Sequence, residues 1–203
     1  MTPTARTSWA VGLLEAAGAL RDERAEVPVL NMLSAETDPE VLRAAAAALV
    51  KVSKSAADVL LPLAQKQGPK QTAVVAGLGE CREARVAQAL SDLLAGHAEE
   101  KLARAAVKSL GEMGSSWVWQ SPDFAKSPQG EPVRAIAASA LVGAYLAYRD
   151  ADTRRAVQAA LFMVDPADGK ALLQKARVQA PDQKADLDAL QSLLENNPLR
   201  PPK

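Results

Sequence analysis

Aromatic side chains make up only 3% of this 203-residue sequence, and it has one cysteine and one histidine. A lone cysteine, Cys81, excludes an intramolecular disulfide framework, and its place at an apolar position of the helical repeat assigns it to core packing. The lone histidine, His97, sits in the polar run "LLAGHAEEKLA". One His and one Cys give no metal-ligand spacing, and His97 reads as a solvated residue between helices. Net charge is also missing, since 24 Lys and Arg balance 24 Asp and Glu. That removes the basic footprint of a typical nucleic-acid binder. No apolar run approaches the roughly 18 residues of a membrane span. There is no P-loop, dinucleotide fingerprint or nucleophile elbow. Catalytic, metal and cofactor sites are therefore expected to be absent. The start, "MTPTARTSWAVGLLEAAGAL", has no h-region or cleavage site. A cytoplasmic protein is expected from the sequence as given; a mature exported domain without its leader fits the same residues.

Strand signals are scarce as well, because β-branched runs are short. What fills the chain is helical periodicity. "DPEVLRAAAAALVKV" (38–52) sets Val41, Ala44, Ala45, Ala48, Leu49 and Val52 on one face. Asp38-Pro39-Glu40 is a start signal: an Asp cap, a proline at the first helical position and an acid in the first turn. The expected class is all-α. The helices also repeat. Ala-rich segments reach hinge positions at Gly18, Val50, Gly79, Gly111 and Val142, with an apolar residue two further on. A short polar turn and usually a Leu-rich helix follow. Gly79 and Gly111 are expected where a first helix ends, where glycine costs least.

"EVLRAAAAALVKV", "KLARAAVKSLGEMG" and "PVRAIAASALVGA" resemble HEAT-type α-solenoid repeats of the short bacterial kind. The resemblance covers about residues 7–165. It implies a right-handed solenoid of about five to six stacked antiparallel helix pairs, as one domain over 1–195. A weaker sixth pair would cap it, and a Pro-rich tail (196–203) would leave the last helix extended or disordered. The resemblance also implies that Arg43, Arg104 and Arg134 pair with neighbouring turns.

Three of the few aromatics crowd into "SSWVWQSPDF". In the repeat register this stretch stands where the second helix of the fourth pair belongs. The expected outcome is an irregular or very short helical segment over 115–131 that replaces that helix, since Pro122 and Pro128 would break it. Second helices of such solenoids line the concave side, which would bring Trp117, Trp119 and Phe124 to the groove. One or more of these rings would bind a partner, or both tryptophans would plug the gap left by the missing helix. In extended backbone Trp117 and Trp119 would share a face. Trp117, directly after the turn, is expected to be the more buried, and Trp119 or Phe124 the more exposed.

The functional expectation is a non-enzymatic scaffold that binds a protein or peptide through the concave surface and the Trp117–Phe124 segment. Two alternatives come from the same resemblance. One is a HEAT-like DNA glycosylase or other DNA-binding protein, with Trp117, Trp119 and Asp123 in its groove. The other is a bilin lyase-type chromophore chaperone. The mixed charges of the second helices (Arg24, Lys66, Arg85, Arg154 and Arg155 among Glu26, Asp58 and Asp92) form no basic stripe and argue against the first.

Overall fold

A computed structural model describes residues 2–200. All regular structure among them is helical. The chain divides into two compact units, Met1–Cys81 and Arg82–Lys203.

The first unit contains α1 (Pro3–Leu20), α2 (Glu26–Ala35), α3 (Pro39–Val52), α4 (Ala56–Gln65) and α5 (Gln71–Gly77). Helix α3 is its centre, with α1 and α5 on its two sides and α2 and α4 across from it. Its start is the one read from sequence: Asp38 accepts from the Glu40 N–H and Pro39 takes the first helical position. All six residues of the expected face are buried. Leu42 and Ala46 are buried too, because four neighbouring helices cover more than one stripe of the helix. Full burial of Leu42 and Leu49 contributes about 1.5–3 kcal/mol each. Alanine and glycine let the backbones approach. A Cβ at Gly77 would lie 2.5 Å from Ala46 Cβ and 2.8 Å from the Arg43 carbonyl oxygen. At Gly18 it would lie 3.3 Å from Ala48 Cα. Cys81 ends the unit, buried as expected.

The second unit contains α6 (Ala84–Ala95), α7 (Glu100–Met113), α8 (Ser116–Gln120), α9 (Gly130–Ala147), α10 (Ala151–Val164), α11 (Gly169–Gln179) and α12 (Lys184–Glu195). Helix α7 packs chiefly on α10, while α6 packs chiefly on α9. Thus α7, α10 and α12 form one layer, and α6, α9 and α11 form the other. Gly111 stands in the last turn of α7, where the sequence set the end of a first helix, and its place also has a packing cause. A Cβ there would lie 2.7 Å from Ala160 Cβ and 2.9 Å from Ala160 Cα on α10.

This arrangement corrects the reading of 115–131 as a replaced second helix. Helix α9 packs against α6, and α7 packs on α10 rather than chiefly on α9. The segment from Gly114 to Gln129 is an interposed connection, and α9, read from sequence as a first helix, lies in the second layer. His97 lies in the turn between α6 and α7, exposed and with φ 55°. Arg104 pairs with Glu100 and Asp150, at 3.5 and 3.7 Å. Arg134 Nη2 donates to the carbonyls of Val164 and Asp165 rather than to a carboxylate. Arg43 is exposed.

Nor does the tail leave α12 as an extended strand. Residues 197–200 turn back onto the end of α10. Buried Asn197 donates to the Phe162 carbonyl and to Asp165, at 2.9 and 3.1 Å. Arg200 reaches both Asp165 oxygens through Nε, at 2.8 and 3.0 Å. The reason is local: Asp165 adopts φ 43° at the α10 terminus and presents its carboxylate to these donors. Residues 201–203 of the expected tail lie outside the described residues.

Candidate functional site

The interposed segment is built around Trp119. Its indole N–H donates to the Met113 carbonyl at 2.8 Å, at the end of α7. Its ring meets Phe124 edge to face, with centroids 5.7 Å apart and planes at 73°. It also covers the start of α9: a Cβ at Gly130 would lie 3.0 Å from Trp119 Cε3. One side chain therefore joins the end of α7, the turn at Phe124 and the first residue of α9. Such a ring with its N–H satisfied is a large apolar anchor.

Helix α8 has five residues because the sequence allows no more. Ser121 is extended (φ −67°, ψ 152°), as favoured before proline, and Pro122 ends the helix. Beyond it the chain runs in hydrogen-bonded turns. Ala125 N–H donates to Ser121 O, Ser127 N–H to Phe124 O and Gly130 N–H to Ser127 O.

The expected order of burial is reversed. Trp119 is 7% exposed and Trp117 is 61% exposed. The cause is the helical backbone of α8. Residues two apart on a helix are rotated by about 200°, so they face opposite sides, whereas on a strand they would share one. With Trp119 turned to the core, Trp117 must point outward. Phe124 lies between these extremes.

A cleft of about 540 Å³ opens beside this anchor. Trp119, Phe124 and Ser127 line one side, and Glu131 and Arg134 of α9 another. Pro166 and Asp168, between α10 and α11, close it. Trp119 and Phe124 are thus brought to one site, while Trp117 and Asp123 are not part of it. Its charged lining carries both signs, Arg134 with Glu131 and Asp168. Asp165, next to this wall, feels two opposed influences. Burial pushes its carboxyl up, but the hydrogen bonds of Arg200 and Asn197 and the nearby positive charges prevail and hold it below the ordinary value. The sequence reading missed Glu131 and Asp168 because the cleft depends on α9 lying in the second layer. The signal available was "QGEP", a glycine and proline at a helix start just after the aromatic cluster.

No group of three or more His, Cys, Asp or Glu among the described residues is placed to hold a metal ion. No helix among them is long and apolar enough to cross a membrane. No protein-family model matches the sequence, and no curated protein matches it either.

Proposed function

We propose that this protein is a non-enzymatic scaffold of stacked, HEAT-like helix pairs that binds a protein or peptide, with the interposed segment as its contact. The observation that carries this reading is Trp117, a large aromatic 61% exposed on a helix whose other face is pinned by Trp119. Holding it outward costs little ordering entropy on binding, because α8 is already fixed at both ends. Rigidly presented tryptophans are typical hot-spot anchors. The cleft at Phe124, Glu131 and Arg134 would receive the adjoining part of the partner. Its mixed charges suit a peptide better than a polyphosphate backbone, and the neutral chain supports the same preference. The three residues that suggested a glycosylase groove do not converge on this cleft, so that alternative gains no support from the geometry.

A displayed library of random peptides, selected on the purified protein, tests the proposal. Enriched peptides should bind Trp117→Ala at least tenfold more weakly, while thermal unfolding moves little. Failure to enrich any peptide, or equal affinity for the variant, would overturn it.

A further inference from the structure

The face of α1 opposite its core contacts is apolar along the whole helix. Leu14 and Gly18 point inward. On the other side Trp9, Leu13 and Leu20 are 62, 51 and 78% exposed, and Ala5, Gly12 and Ala16 lie exposed among them. An exposed face carrying a tryptophan and two leucines in line is unusual for a solvated helix surface.

We infer that this face of α1 is an isologous interface with a second copy of the chain, the two α1 helices packing antiparallel. The order of large and small residues selects this occupant. A two-fold axis passing between Gly12 and Leu13 sets Trp9 against the second copy's Ala16. It sets Leu13 against Gly12 and Leu20 against Ala5, and every contact recurs by symmetry. Each large side chain thus meets a small one, the condition for interdigitated helix packing. Space is available where it is needed, because a Cβ at Gly12 would touch nothing within 4 Å. Trp9 at 62% exposure offers roughly 150 Å², and complete burial of the whole face, the two leucines and the small residues included, would remove at most about 500 Å² per copy and about 1,000 Å² in the pair. That is the lower bound of a specific interface, so the dimer is weak and concentration-dependent.

Sedimentation equilibrium from micromolar to millimolar protein tests it, with three chains: wild type, Leu13→Glu and Gly12→Phe. Wild type should pass from monomer to dimer, and Leu13→Glu should stay monomeric. Gly12→Phe is the discriminating variant. It makes the face more apolar but fills the hollow that receives Leu13, so the dimer should weaken at least tenfold. Both positions are solvent-exposed, so helix content by circular dichroism should stay that of wild type. A wild type that is monomeric throughout would overturn the inference. So would a Leu13→Glu variant that still dimerises, or a Gly12→Phe variant that associates more tightly.

Discussion

Residues 2–81 and 82–200 solve the same packing problem with different chain paths. In the first unit, α3 and α5 are layer neighbours with one helix, α4, between them in sequence. In the second, α7 and α10 are layer neighbours with two between them, the short α8 and the long α9. Yet the contact is made in the same way. Gly77 approaches Ala46 in one unit and Gly111 approaches Ala160 in the other. The glycine-to-alanine approach follows the layer and not the order of the chain. An interposed connection has shifted which helix falls in which layer, and the Trp119 anchor holds that connection in place.

The largest expected effect comes from removing that anchor. Trp119→Ala deletes a buried ring, leaves the Met113 carbonyl without its donor and uncovers the start of α9. It should cost about 3–5 kcal/mol. Denaturant unfolding measures the loss, and hydrogen exchange locates it. Protection should fall at the start of α9 and in α8 before it falls in α3. A loss under about 1 kcal/mol would mean that α9 keeps its place beside α6 without the ring.

How far the sequence foretold this differs between the units. In the first, the Asp38 cap, the Val41–Val52 face and the Leu-rich second helices were all legible, because each is a local pattern. "EVPVLNMLSA" coincides with α2. In the second unit the helices were legible too, including α10 and the pair α11 and α12. Their layer assignment was not. Local periodicity says which face of α9 is apolar but not which neighbour covers it. Reading 115–131 as a lost helix rather than an added connection followed from assuming strict alternation. Gly111 was legible as a residue near a helix end, but its close approach to Ala160 was not, because that depends on which helix packs there. The order of Trp117 and Trp119 turned on whether five residues before Pro122 were helical, and propensity does not decide a stretch that short. The tail was misjudged because composition gives no sign of a carboxylate, Asp165, placed to receive Asn197 and Arg200.

A middle-sized effect compares glycines across the two units. Gly77→Ala places a Cβ against the Arg43 carbonyl and Ala46, and Gly111→Ala places one against the Ala160 backbone. Each should destabilise by about 1–3 kcal/mol, because backbone must move to make room. Gly143→Ala is the control, since it meets nothing within 4 Å on an exposed turn of α9. It should instead stabilise by up to about 1 kcal/mol through helix propensity. Thermal or denaturant unfolding of the three variants separates these signs. If Gly111→Ala behaves like Gly143→Ala, the close approach of α7 and α10 is not a constraint, and the parallel between the units fails.

The smallest expected effect lies at the end of the second unit and depends on pH. Asp165 is held below the ordinary carboxyl value of 3.8, with burial opposing and Arg200, Asn197 and Arg134 prevailing. Its folded form therefore releases the proton more readily than the unfolded chain does. The resulting stability is fully present above 3.8 and is lost as the pH falls below it, through the folded value. Asp38 in the first unit is also lowered, chiefly by the Thr7 hydroxyl and then by the Glu40 N–H, so acid weakens both units by the same route. Arg200→Ala separates them. It removes the paired guanidinium while leaving Asn197 in place, and at neutral pH it should cost about 1 kcal/mol or less because the Arg200 side chain is 44% exposed. The stability lost between pH 5 and 3 should shrink by a similar small amount in the second unit and stay unchanged in the first. Hydrogen exchange at the two pH values, read for α10 and for α3, measures both. An Arg200→Ala variant with an unaltered acid profile in α10 would show that the returning tail contributes no electrostatic stability to the connection that closes the cleft.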